Sequence, residues 1–118
     1  MSNIYQENKE YNGWSNYPTW CVNLWLDNDQ GFYNDCKYEA ETILSETIEE
    51  YPDRDKDFII NVSIYNLGDR LREYTENILP QVEGMGSDLI SWVLDKVNWA
   101  EIVEHIMDEV VEDYDWEV

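Results

Sequence analysis

The sequence predicts an all-α fold, a compact bundle of about five helices with an acidic surface. Apolar residues recur at intervals of three and four along most of the chain, which is the repeat of a helix face. Segments rich in proline, glycine and aspartate separate these stretches, and no hairpin pattern of alternating residues is present. The 118 residues suit one domain, which we place at 14–118 after a loose lead-in at 1–13.

Two helices are predicted in the first half of the chain. Pro18 suits the first turn of a helix, with Asn16 or Tyr17 as its cap, and the apolar residues that follow indicate a short helix buried on most sides. A longer helix is expected from Phe32 to about Tyr51, where the next residue is a proline that disfavours helix continuation.

Three further helices are predicted in the second half. The third has apolar residues at steps of four and three up to Ile78, but its beginning at 58–64 is β-branched enough to form a strand instead. Ser87 is expected to cap a short helix that runs through Val97. Asn98 is expected to cap the last helix, which runs to about Tyr114.

The charge balance is the least ordinary property of the composition. The chain has 27 Asp and Glu against seven Lys and Arg, a net charge of −20, yet six Trp, nine Tyr and two Phe indicate a folded core. Such a particle is attracted to basic surfaces and repelled by nucleic acids and anionic membranes. Adaptation to high salt is one alternative, and a face that only aids solubility is another.

Two stripes of carboxylates are predicted on helix surfaces. One stripe lies on the last helix, and the other on the long second helix. No Lys or Arg follows residue 96, although Lys placed four residues after Glu would stabilise a helix. We therefore predict that these residues bind a partner: Glu101, Glu104, Asp108, Glu112 and Asp115 on the last helix, and Asp35, Glu39, Glu46, Glu49, Glu50 and Asp53 on the second.

Other chemistry has little support in the residue pattern. His105 is the only histidine, and we expect no enzymatic activity and no cofactor. Cys21 and Cys36 have no metal-binding spacing and resemble small buried apolar residues.

Two segments partly resemble a calcium loop, and the first of them, 27–31, has its glycine one place early. Three aspartates at 53, 55 and 57 match the first ligands of an EF-hand loop. Phe58 then stands where the loop needs glycine, and Ile64 where it needs a bidentate glutamate. We expect no specific metal site, with weak binding of divalent cations as an alternative role for the acidic residues.

Several segments resemble those of a family of small proteins common in bacteriophages, plasmids and mobile elements. The most specific runs from Gly13 to Asp29 and reads GWSNYPTWCVNLWLDND. Weaker similarities lie in LGDRL at 67–71, in SDL at 87–89 and in VNWAEIVEH at 97–105. The resemblance implies a mobile-element origin and no particular chemistry. By charge and size alone, the chain also resembles DNA-mimic inhibitors such as antirestriction and anti-CRISPR proteins.

These observations favour a phage-type inhibitor that blocks the DNA-binding surface of a basic host protein, namely a restriction or CRISPR effector or a regulator. The alternative is an antitoxin-like or assembly module with Trp14, Tyr17, Trp20 and Trp25 as anchors, unless these rings form the core. We expect no direct binding to nucleic acid or membrane, a cytoplasmic location, and a homodimer if an apolar patch overcomes the charge repulsion.

Overall fold

The computed structural model describes residues 11–114 and 116, and this part of the chain is all-α. Its five helices are α1 (Tyr17–Asp27), α2 (Gln30–Glu50), α3 (Lys56–Ile78), α4 (Met85–Lys96) and α5 (Trp99–Asp113). The predicted fold class is confirmed, and the described residues contain no strand beyond an isolated bridge between Tyr11 and Trp14. That bridge closes a turn over residues that we had assigned to the lead-in, with positive φ at Asn12 and Gly13.

An antiparallel hairpin of α2 and α3 forms one half of the bundle. Arg70 on α3 forms an ion pair with Glu39 on α2 at 2.8 Å. Near the closed end, the rings of Tyr51 and Phe58 lie 5.1 Å apart. The segment 58–64, for which a helix and a strand were both open, is helical. Asp55 caps it by accepting a hydrogen bond from the Phe58 N–H at 2.8 Å.

Helix α5 packs against both helices of this hairpin and contributes most of its own apolar side to the core. Its buried apolar residues are Ile102, Val103, Ile106, Met107 and Val110. They meet a buried row from α2 and α3 that comprises Phe32, Cys36, Ala40, Ile43, Leu44, Ile59, Leu67 and Leu71. Because the core encloses the apolar side of α5, this packing also fixes the orientation of the opposite side, which faces solvent.

Helices α1 and α4 lie at the edge of the bundle, and two predictions about them are wrong. Only Thr19 and Leu26 of α1 are buried, so this helix is not buried on most sides; Trp25 is 67 % exposed. Helix α4 begins at Met85 after Gly84, whose φ of +67° lies in the left-handed region, and Ser87 therefore sits inside the first turn and is not the cap.

A group of hydrogen bonds joins the N-termini of α1 and α5, and we call Asn16, Thr19 and Asn98 the cap junction. Asn16 caps α1, accepting from the Thr19 N–H and hydroxyl at 2.9 and 2.7 Å. The Thr19 oxygen in turn accepts the N–H of Asn98 at 2.9 Å. Asn98 then caps α5 by accepting the N–H of Glu101 at 3.2 Å. Both predicted cap positions, Asn16 and Asn98, are confirmed.

The cap junction also includes the end of α4, because the Asn16 amide donates to the Lys96 carbonyl at 2.9 Å. The Thr19 hydroxyl is fully buried and serves two neighbours at once. Its loss would leave the Asn98 N–H without its acceptor.

We expect Thr19→Val to lower the free energy of unfolding by about 1–3 kcal/mol, because a partly buried N–H loses its hydrogen bond. Urea denaturation followed by circular dichroism measures this loss. Thr47→Val is the matched control: Thr47 is also buried, but its hydroxyl donates only to the Ile43 carbonyl one turn earlier. Equal losses of unfolding free energy in the two variants would show that the Thr19 hydroxyl contributes no more than an ordinary hydrogen bond within a helix.

Candidate binding surfaces

The exposed half of the α5 circumference carries a dense run of carboxylates, which we call the α5 stripe: Glu104, Asp108, Glu109, Glu112 and Asp113. These five acids span ten residues, which corresponds to about 14 Å of helix. The spacing averages about 3 Å of axis per charge, close to the 3.4 Å per phosphate of one DNA strand. Glu109 and Asp113 were not among the predicted site residues because they lie just outside the step of three and four.

Glu101, the first predicted member of the stripe, is buried and does not belong to this surface. Its Oε1 accepts hydrogen bonds from the Ser15 N–H, at 3.2 Å, and from the Ser15 hydroxyl. The preceding residue, Trp14, packs against His105 one turn further along α5, with ring centroids 5.0 Å apart. The segment before α1 thus covers the first turn of α5. Asp115, the last predicted member, lies outside the described residues.

The predicted stripe on α2 divides into two parts. Glu39 is paired with Arg70, and Asp35 accepts a hydrogen bond from the Tyr74 hydroxyl at 3.2 Å. These two acids therefore stabilise the hairpin. Further along the chain, the other four are exposed and form what we call the α2 group: Glu46, Glu49 and Glu50 on the helix, and Asp53 in the loop that follows it.

Within the described residues, basic side chains form no ion pair with the α2 group or with most of the α5 stripe. Among the described residues, Lys37, Arg70 and Arg72 form ion pairs, and their acceptors are Glu109, Glu39, Glu76 and Asp95. The remaining described cations lie over aromatic rings: Arg54 over Phe58, Lys56 over Trp116 and Lys96 over Trp92. Within the described residues, Glu109 is therefore the one acid of the stripe with an ion-pair partner within 4 Å.

The stripe and the group both lie where negative charge destabilises a helix. The C-terminal end of a helix carries a partial negative charge, and acids there oppose the macrodipole. Neither α2 nor α5 has a basic residue in its last turn. Each ends in acids, Glu49 and Glu50 in α2 and Glu112 and Asp113 in α5. Helix stability alone would favour the opposite sign at these positions.

Tyr33 connects α2 to the α5 stripe. Its hydroxyl donates to Glu109 at 2.6 Å, and this bond, helped by burial, raises the pKa of Tyr33 to about 12. The same carboxylate oxygen lies 3.7 Å from the Lys37 ammonium. Glu109 thus contributes to the attachment of α5 to α2, while its exposed neighbours on the stripe do not.

Cys36 and Asp55, two residues weighed above for metal binding, have structural roles. Burial raises the pKa of the Cys36 thiol to about 12, which keeps the thiol protonated and poorly nucleophilic at neutral pH. Asp55, the central residue of the calcium-like run, caps α3. In the described part of the chain, no cluster of three or more His, Cys, Asp or Glu side chains is placed to bind a metal ion. No helix described there is both long and apolar enough to span a membrane.

The four predicted aromatic anchors have different environments. Trp14 packs against the core, and Trp20 is half-buried beside Tyr17, with ring centroids 5.5 Å apart. Tyr17 and Trp25 are exposed over 53 and 67 % of their surface. The alternative in which these rings form the core is therefore wrong for two of the four.

Helix α4 exposes a further apolar surface that the sequence analysis did not single out as a site. Met85, Leu89 and Trp92 are 76, 56 and 59 % exposed, and we call them the α4 outer face. They recur at steps of four and three and so share one side of the helix. The opposite side carries Leu94, which is buried. In the sequence, apolar residues on two opposite sides of one helix would have indicated this exposed surface.

Comparison with known proteins identifies a family without assigned chemistry. The model of a family of unknown function, DUF7249, matches residues 7–117, which is nearly the whole chain. No curated protein and no solved structure matches the chain. Any functional conclusion therefore depends on the surfaces described above.

We expect Glu101→Ala to lower the free energy of unfolding by about 1–3 kcal/mol, since the partly buried Ser15 N–H and hydroxyl lose their acceptor. Glu104→Ala, three residues away on the same predicted stripe but exposed, should change it by less than about 0.5 kcal/mol. Urea denaturation of both variants compares them directly. A larger loss for Glu104→Ala would contradict the assignment of Glu101 to the interior.

Tyr33 provides a test at high pH. Because its pKa is higher in the folded chain than in the unfolded one, its contribution is fully present below pH about 10 and is lost as pH rises toward about 12. We expect the stability of the wild type to fall more steeply over this interval than that of Tyr33→Phe. Denaturation series at several pH values measure the two slopes, and parallel slopes would refute the assignment.

Proposed function

We propose that this chain, which belongs to the DUF7249 family of unknown function, is an inhibitor that presents carboxylates in place of DNA phosphates to a basic DNA-binding protein. The α5 stripe is the observation that carries the proposal. Its charge spacing along the helix is close to that of a DNA strand, and four of its five acids have no cation beside them among the described residues.

Rigidity supports this function. The apolar side of α5 is enclosed by α2 and α3, so the stripe is already ordered before a partner arrives. A preorganised surface loses less conformational entropy on binding than a flexible acidic tail. The α2 group is a second set of acids. It would contact the target only if the target's basic surface extended beyond the area covered by the α5 stripe.

Charge complementarity explains how such an inhibitor would act. Lys and Arg of the target would meet carboxylates in place of phosphates, and electrostatic attraction would accelerate the encounter. Counterions bound near the acids would be released, as they are from DNA, so affinity should fall steeply with rising salt. Because Glu101 is buried, it is not part of the proposed binding surface. Glu109 and Asp113, which were not predicted, add two acids to that surface.

The class of target is proposed from the likeness in charge and size to DNA-mimic inhibitors. We propose a restriction or CRISPR effector, or a DNA-binding regulator, in the host cytoplasm. No catalytic step, cofactor, direct nucleic-acid binding or membrane contact enters this mechanism. Weak binding of divalent cations by the acidic residues would be a side effect of the same charges.

A second candidate function is supported by the exposed rings of Tyr17 and Trp25. Aromatic side chains of this kind are frequent anchors of protein interfaces. An antitoxin-like or assembly module would use them to bind an apolar partner, and its binding would survive half-molar salt. Salt dependence therefore distinguishes the two functions.

The test uses two variants with the same change in net charge. The stripe variant carries Glu104→Gln, Asp108→Asn and Glu112→Gln. The control carries Asp69→Asn, Glu73→Gln and Glu83→Gln, all exposed and outside both acidic sets. We expect the wild-type chain to capture from host lysate, at low salt, a DNA-binding protein that duplex DNA releases. The stripe variant should bind the recovered protein at least about tenfold more weakly, and the control should bind nearly as the wild type does.

Equal weakening in both variants would mean that net charge alone causes binding. Undiminished inhibition by the stripe variant would refute the mimicry. Circular dichroism confirms that each variant has kept its helices.

A further inference from the structure

We propose that two copies of this chain associate through the α4 outer face, with their α4 helices antiparallel across a twofold axis at Trp92. This inference does not rest on the proposed function, because it concerns a different surface. It is carried by three observations: the exposure of large apolar side chains, the near absence of charge around them, and the placement of one acid and one base on either side of Trp92.

The α4 outer face is unusually apolar for a solvent-facing helix side. Trp92 and Leu89 each expose more than half of their surface, and Met85 exposes three quarters. Val93, at the margin, is 40 % exposed. Exposed apolar patches with a polar border are typical of protein interfaces. A central Trp surrounded by Leu and Met is the composition that concentrates binding energy at such interfaces.

Charge determines which surface a second copy can approach. Each copy carries a net charge of −20, so acidic sides repel each other strongly. Helix α4 has only Asp88, Asp95 and Lys96, and α1, against which it packs, has no charged residue before Asp27. Contact through this edge brings few acids of either copy together, because the α5 stripe and the α2 group lie on other segments. The same edge would be a poor match for a basic partner.

The antiparallel arrangement follows from the positions of Asp88 and Lys96. They stand four residues before and four residues after Trp92, one turn away on either side. When two such helices cross antiparallel at Trp92, Asp88 of each copy faces Lys96 of the other. Lys96 is available for this contact, since its ammonium lies over its own Trp92 ring at 5.1 Å and forms no ion pair within the described residues. A parallel arrangement would place like charges opposite each other.

Salt should strengthen the association. Repulsion between the two highly charged copies is screened at high ionic strength, whereas apolar contact is not weakened. The dimer is therefore expected to be favoured by half-molar salt, the condition that releases a basic DNA-binding partner. This opposite dependence distinguishes failure of the dimer from failure of the proposed function.

Sedimentation equilibrium of the full chain in low and half-molar salt is the first experiment. We expect a reversible monomer–dimer equilibrium that shifts toward dimer with salt, and a dissociation constant at least about tenfold higher in Trp92→Ala. Tyr65→Ala is the matched control, because Tyr65 on α3 is an aromatic residue that is 69 % exposed. Both side chains are exposed, so neither truncation should reduce helical content.

A charge exchange tests the arrangement itself. Asp88→Lys alone should weaken the dimer, because lysines would then face each other in both symmetric contacts. Adding Lys96→Asp in the same chain should restore the dimer, because it re-creates the two opposite-charge contacts. Restoration would support the antiparallel crossing at Trp92, because only that arrangement places residue 88 of one copy opposite residue 96 of the other.

A chain that stays monomeric in half-molar salt would overturn the proposal. So would a dimer that Trp92→Ala does not weaken, or one that the double exchange does not restore. A monomer that carries a co-purified molecule, detected as added mass in native mass spectrometry and lost in Trp92→Ala, would assign the face to that molecule and also overturn the dimer.

Discussion

The arrangement of this protein depends on one buried hydroxyl. Thr19 is fully enclosed; its hydroxyl donates to Asn16, the cap of α1, and accepts the N–H of Asn98, the cap of α5. Helix ends leave polar groups that must be satisfied, and here two ends are satisfied by a shared set of side chains. Through Asn16, the same set reaches the carbonyl of Lys96 at the end of α4. Three helices are thereby held in fixed relation to one another.

Several properties of the surface follow from this junction. Because α1 begins there, Trp14 and Ser15 cover the first turn of α5, and Glu101 becomes an internal acceptor. The remaining acids of α5 stay exposed on a helix whose other side is enclosed. Helix α4 is attached at its end and packs mainly on α1, which leaves Met85, Leu89 and Trp92 in solvent. The described part of the chain thus has one acidic and one apolar surface. We expect rising salt to weaken binding through the acidic surface and to strengthen association through the apolar one.

Three of the four segments singled out in the sequence, namely 13–29, 67–71 and 97–105, meet near this junction. GWSNYPT supplies Ser15, Asn16 and Thr19, and VNWAE supplies Asn98 and Glu101. The glycine of LGDRL, Gly68, faces Trp99 so closely that an added Cβ would lie 3.4 Å from the Trp99 Cβ. These residues therefore account for the fold. The proposed binding surfaces lie elsewhere, on the outer sides of α5, α2 and α4.

Local pattern was sufficient for the number and order of the helices, because apolar spacing and caps such as Asn16 and Asn98 act within a few residues. It left the start of α3 open and misplaced the start of α4. It also placed Glu104, Asp108 and Glu112 correctly on one side of α5. Contacts between distant segments decided the rest: Ser15 buries an acid 86 positions away, and Arg70 neutralises Glu39 across the hairpin. The exposed side of α4 was likewise undetermined by pattern, since both sides are apolar and only packing selects which one is covered. Periodicity specifies the direction of a side chain around its own helix, whereas its burial depends on which other segment of the chain packs against that side.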